Sequence, residues 1–216
     1  DLFSEYRRVY FVLEQGLYFD NAHRSIVFFI EMAFACLSQA FITVDQSLFA
    51  LSDPTRSVAG LTEYGFFLND PQIFRYLFFF KLPYLLFDIA TACVIWRFID
   101  NPAHKKIALL IWLFNPVTLF ATYVFGRFEV ISLFFLAASA LQLKQDRLLA
   151  ATVLFALSLH CREINLLFAP FFLIALIDFK DPPLRNVMVV ATAAVIIGLL
   201  FLFPSWLFPK FGGDLS

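Results

Sequence analysis

In a chain this apolar, the few charged residues set beside Pro and Gly at the ends of hydrophobic runs are the ones that could do chemistry. Residues 115–129 read Asn115-Pro-Val-Thr-Leu-Phe-Ala-Thr-Tyr-Val-Phe-Gly-Arg-Phe-Glu129. An apolar helix arriving from Ile107 meets Pro116, which has no N–H to give the Trp112 carbonyl, so the helix must kink or break there. Gly126 permits a tight reversal, and Arg127 and Glu129 place both charge signs where the next apolar run begins. Further on, His160-Cys-Arg162-Glu163 follows another apolar run, and upstream Lys81 and Asp88 share a helix face two turns apart. Guanidinium and ammonium groups gathered in this way suit a phosphate or diphosphate headgroup. His160 and Cys161 have no third ligand at metal-binding spacing.

The elements that must position these groups are membrane helices. Hydrophobic residues make up 61% of the chain and charged residues 15%, Phe occurs 31 times, and the mean hydropathy is +0.80. Such a balance indicates an all-α integral membrane protein. The formal net charge of −1, without a basic block, gives no sign of a nucleic-acid partner, and none is expected. Cys36, Cys93 and Cys161 all sit in apolar stretches and match no metal framework. About seven transmembrane helices are expected: Ser25–Val44, Leu82–Phe98, Ile107–Phe125, Val130–Leu143, Leu148–Leu159, Ile164–Ile177 and Val187–Phe203. Pro83 is expected in the first turn of the second span. Residues 45–81 form an extracytoplasmic loop with short interfacial helices, and residues 1–216 read as a single transmembrane domain, expected to be part of a longer multi-span protein.

Charge sets the orientation. With Ile107–Phe125 running outward, the inner connectors hold Arg97, Lys105, Lys106, Lys144, Arg147, Lys180 and Arg185, against Arg127, Arg162 and Lys210 outside. The fifth span, Leu148–Leu159, is only about 18 Å of helix against a hydrocarbon core of ~30 Å. It therefore leaves Arg162 and Glu163 below the outer surface, and the short fourth span does the same for Arg127 and Glu129. An exposed charge at that depth costs about 2.5–3.5 kcal/mol, so these groups should face one another or a water-filled cleft. Each also has a plainer role: Arg162–Glu163 as a hairpin ion pair, Lys81 as an interface anchor, and Asp88 and Glu31 as bonds between helices.

Three motifs in order carry a resemblance: Lys81-Leu-Pro-Tyr-Leu-Leu-Phe-Asp88, Trp112-Leu-Phe-Asn-Pro-Val117 and Tyr123-Val-Phe-Gly-Arg-Phe-Glu129. Together they resemble the GT-C superfamily of membrane glycosyltransferases, in particular the GPI mannosyltransferase I-like enzymes and related prokaryotic transferases, over about residues 60–180. Those proteins share a K-x-P-x-x-x-x-D helix, an N-P…G-Q-x-D corner and a lysine-containing outer turn. This chain has Gly126-Arg-Phe-Glu129 at the corner and Cys161-Arg-Glu at the turn. The resemblance implies inverting transfer of a hexose, with mannose the family's sugar, from a polyprenyl-phosphate donor to an extracytoplasmic acceptor. Glu129 and Asp88 become candidate catalytic carboxylates, Lys81, Arg127 and Arg162 candidate phosphate ligands, and Glu163 and Asn115 supporting residues.

In that family the acceptor's proton goes to a carboxylate just after the first transmembrane helix; here that acid is expected before Asp1. No cofactor is required by these residues, and a divalent metal ion is left open. The expected partners are a lipid-linked sugar donor, membrane lipids and an accessory membrane subunit. The expected location is the cytoplasmic membrane of a prokaryote or the endoplasmic reticulum of a eukaryote. Two other readings stand beside the enzyme: a non-catalytic subunit of a glycosylation complex, and a transporter or lipid flippase coupled through Glu31, Asp88 and Glu163.

Overall fold

The computed structural model describes residues 26–41, 73–124, 127–177 and 182–207, and among these there are helices and no strand. The elements in chain order are α1 (Ile26–Gln39), α2 (Ile73–Phe98), α3 (Pro102–Leu113) and α4 (Pro116–Leu119) running into a π-helical turn, Phe120–Val124. After these come α5 (Glu129–Lys144), α6 (Leu148–Cys161), a 3-10 helix (Glu163–Phe168), α7 (Ala169–Ala175) and α8 (Pro183–Leu207).

The α5–α6 hairpin is the centre of the fold. Its seam is made of small residues: Ser132, Ala138 and Ser139 on α5 are buried against Ala151, Ala156 and Ser158 on α6. Side chains of this size let two helix backbones approach and bond across the gap. The Ser132 hydroxyl donates to the Ser158 carbonyl (3.2 Å) and the Ser139 hydroxyl to the Ala151 carbonyl (2.9 Å). Both contacts step by seven residues on each helix, as an antiparallel pair in register requires. The turn between them is a Schellman cap, with Arg147 N–H on the Gln142 carbonyl and Asp146 N–H on the Leu143 carbonyl, both 3.0 Å. Asp146 takes the left-handed conformation (φ 58°) that glycine usually fills.

One side of the hairpin packs on α1 and α2 through Val27, Phe80, Tyr84, Phe128, Val130 and Ile131. The other packs on α7 and α8, where Phe155 stacks on Phe172 with ring centroids 4.3 Å apart. Two helical stretches, Phe78–Phe98 and Pro102–Val124, are long and apolar enough to cross a membrane by length and composition. The second has 6% of its apolar window buried among the described residues.

The expected break at Asn115–Pro116 is present. Asn115 N–H bonds the Trp112 carbonyl at 3.4 Å, and the Asn115 side chain caps the restarted helix by accepting from Val117 N–H at 3.0 Å. The second span differs from expectation. Its helix begins at Ile73, so Lys81 and Pro83 lie inside it, and Pro83 leaves the Phe79 carbonyl without its usual amide. Of the expected outer loop, 73–81 is therefore helix, and 45–72 lie outside the described residues. The segment expected as a sixth span, Ile164–Ile177, is instead a 3-10 helix followed by a seven-residue α-helix with Pro170 in its first turn. Leu148–Cys161 continues two residues beyond the expected end, which buries His160 and Cys161 in the last turn.

Candidate functional site

The corner that follows the π-helical turn collects charge from two helix ends. The turn is closed by Arg127 N–H, which reaches the Ala121 carbonyl at 2.9 Å. Phe128 then buries its ring and α5 starts at Glu129, with no side chain capping its amides. From the far end of the hairpin, Arg162 leaves α6 in an extended conformation (φ −150°, ψ 120°), which ends the helix and turns its side chain back to α5. Its guanidinium forms an ion pair with Glu129 Oε1, 33 residues earlier in the chain, and lies over the Phe128 ring at 4.6 Å. Arg127 Nη1 stands 3.9 Å from the same Glu129 oxygen. The second oxygen, Oε2, is buried and has no hydrogen-bond partner among the described residues. One carboxylate thus faces two guanidinium groups at the N-terminus of a 16-residue helix, an arrangement that attracts anions.

Two more motif residues fasten the segment just before this corner. Lys81 Nζ donates to the Tyr123 carbonyl at 2.6 Å. Asp88 is buried, and each of its oxygens holds one donor: Trp112 Nε1–H at 2.8 Å and Tyr123 O–H at 2.7 Å. Both groups therefore act on the same tyrosine, Lys81 through its backbone and Asp88 through its side chain. Lys81 and Asp88 thus join α2 to the segment between Trp112 and Tyr123. Glu31 has a similar position on α1, accepting from the Tyr84 hydroxyl at 2.6 Å with both groups buried.

Of the seven candidate residues, Lys81 and Asp88 bond Tyr123, and Arg127, Glu129 and Arg162 form a second group at the start of α5. The chain matches no protein-family model, no curated protein and no solved structure. Asn115 serves as a helix cap, and Glu163 opens the 3-10 helix on the exposed side. Among the described residues, no group of three or more His, Cys, Asp and Glu side chains is placed to hold a metal ion. Three residues that matter are given no role by the sequence reading, although two of them open its motifs. Trp112 and Tyr123 are aromatic rings with polar tips in apolar runs, a type that needs a buried partner and so points to Asp88. Asn165, also buried, donates to Ser132 Oγ at 2.7 Å and ties the 3-10 helix to the hairpin seam.

The opposite end of α5 has its own ion pair. Lys144 Nζ lies 2.5 Å from Asp100 Oδ2 and 2.6 Å from the Phe98 carbonyl, and sits over the Phe98 ring at 5.4 Å. Lys105 lies over the Trp96 ring at 5.3 Å at this same end. The hydrogen bond from Lys144 holds the Asp100 carboxyl below its ordinary range, with the ammonium charge adding to the effect.

Proposed function

We propose that this chain is the transmembrane core of a glycosyltransferase that moves a sugar from a polyprenyl-phosphate donor to an acceptor at the extracytoplasmic membrane face. The observation that carries the reading is how its motif residues are joined across the fold: Lys81 and Asp88 on α2 bond Tyr123, and Glu129, six residues on, meets Arg127 and, from the end of α6, Arg162. The many large apolar side chains exposed on α3, α4 and α7 support immersion in lipid. A seven-span topology belongs to this proposal.

In the reaction the acceptor hydroxyl oxygen attacks the anomeric carbon from the face opposite the phosphate. The bond from that carbon to the phosphate oxygen breaks, its electron pair leaves with the lipid phosphate, and a carboxylate takes the hydroxyl proton. Arg162 and Arg127 bind and neutralise the departing phosphate. Asp88, with a donor on each oxygen, is a positioning residue for Tyr123 and the corner beyond it.

Transfer from a polyprenyl-phosphate sugar, measured per folded molecule, tests the assignment. Arg162→Gln is expected to lose roughly a hundredfold in rate, the loss typical of removing one preorganised donor. Arg162→Lys, which keeps the charge but not the planar fork, should retain partial activity. Undiminished transfer in Arg162→Gln would remove Arg162 from the site. Topology has its own test with single cysteines and an impermeant thiol reagent on intact cells. Cysteines replacing Lys105 and Lys144 should be shielded and one replacing Asp53 labelled; the reverse pattern would invert the topology.

A further inference from the structure

Arg162, Arg127 and the start of α5 have the composition of a site for a tetrahedral oxyanion, and the chain has put its own carboxylate there. Glu129 meets both cations with a single oxygen, Oε1. Its other oxygen is buried without a hydrogen bond among the described residues, so the carboxylate leaves half of its accepting capacity unused. Two guanidinium groups share one carboxylate among the described ion pairs, and the first turn of α5, without a side-chain cap, adds the positive end of a helix dipole. Stacking on buried Phe128 fixes the Arg162 guanidinium independently of Glu129. The Glu129 side chain is 38% exposed, so it borders solvent on one side.

We infer that Glu129 is a resident competitor in an anion site formed by Arg127, Arg162 and the α5 N-terminus, and that it must swing out before a phosphate group can bind. The inference deepens the proposed function, resting on its phosphate site while adding a control on that site. A phosphate offers three or more oxygens to the two forks where Glu129 offers one, so it can satisfy donors that the carboxylate leaves unshared. Closed on Arg162, Glu129 also neutralises a cation that would otherwise stand open at depth when no substrate is present. The same chemistry would accept a lipid phosphate headgroup or a phosphate in solution.

The test is binding to the full chain in lipid nanodiscs, with inorganic pyrophosphate and dodecyl phosphate as separate probes. Glu129→Gln, which removes the competing charge at constant shape, should tighten binding of at least one probe about tenfold, and Arg162→Gln should abolish the binding. Tightening of dodecyl phosphate alone assigns a lipid headgroup, and tightening of both assigns the phosphate group itself. Unchanged or weaker binding in Glu129→Gln overturns the inference, because a purely structural carboxylate predicts that result. Should Glu129→Gln fail to fold, Glu129→Asp serves in its place. Its shorter side chain draws back from Arg162, so tighter binding supports the inference and equal or weaker binding overturns it. Sugar transfer is not needed for the readout: tightened binding without transfer would leave the resident anion standing and refute only the enzyme.

Discussion

Helix α5 carries an ion pair at each end, and the two differ in almost every property that decides what an ion pair does. At the Lys144 end the partner Asp100 is 85% exposed, and the lysine also satisfies a helix-terminal carbonyl. Water screens such a pair, and holding two side chains in one geometry costs entropy that offsets most of the attraction. At the Glu129 end both partners are about two-thirds covered, the guanidinium lies on a buried ring, and one carboxylate oxygen is left without a described partner. The first arrangement ties a connector to a helix end in water, with Lys105 a second cation acting on the same exposed carboxylate. The second gathers two guanidinium groups on a partly covered carboxylate and leaves one of its oxygens buried without a described partner. A buried and incompletely used carboxylate is what a structural cap avoids and a binding site can use.

The contrast can be broken most forcefully through Asp88. Asp88→Leu removes the acceptor for Trp112 and Tyr123 together, leaving two donors unpaired at about 1–3 kcal/mol each. A large fall in thermal stability in nanodiscs is expected. Exchange protection at the Glu129 end should fall with it, while the Lys144 end stays unchanged. Equal loosening of both ends would show that the corner is not an independent unit.

Double-mutant cycles give the next largest effect. The Arg162–Glu129 cycle should show a coupling of about 1–2 kcal/mol in unfolding, whereas the Lys144–Asp100 cycle should sit at the limit of detection and vanish in high salt. Similar couplings would erase the distinction drawn here. Acid titration gives the smallest effect. The Asp100 carboxyl is depressed in the folded chain, so its contribution is complete above the unfolded carboxylate value of about 3.9 and disappears as pH falls through the lower folded value. Lys144→Gln should flatten that acid limb and leave stability at neutral pH almost unchanged. A large loss at pH 7 would count against a screened pair.

How much of this was legible in the sequence follows from the range of the interactions. The break at Asn115–Pro116 was legible because proline lacks an N–H, a fact that needs no tertiary context. The short α6 was legible from counting apolar residues, although its helix runs on through His160 and Cys161. The start of α2 was misread because Arg75 and the nearby polar residues look like loop, whereas burial of Phe80 and Tyr84 against Phe128 and Ile131 carries the helix back to Ile73. The meeting of Arg162 with Glu129, 33 positions apart, was legible through the short spans that leave both charges at one level, whereas the choice of Glu129 over the adjacent Glu163 as its partner depends on how α5 and α6 pack. The bonds from Trp112 and Tyr123 to Asp88 were missed for the same reason, as each spans more than twenty residues.

The π-helical turn at Phe120–Val124 has a consequence for how this corner can change. Such a turn carries surplus chain relative to the α-helix around it. Removing one of its five residues takes out that surplus and lets the segment close to ordinary α geometry, with the chain on either side keeping nearly its present facing. The same deletion in α5 between Ser132 and Ser139 has no surplus to draw on, would rotate the rest of that helix by about 100°, and would take Ser139 off the Ala151 carbonyl. The corner should therefore tolerate the loss of one residue that the hairpin seam does not.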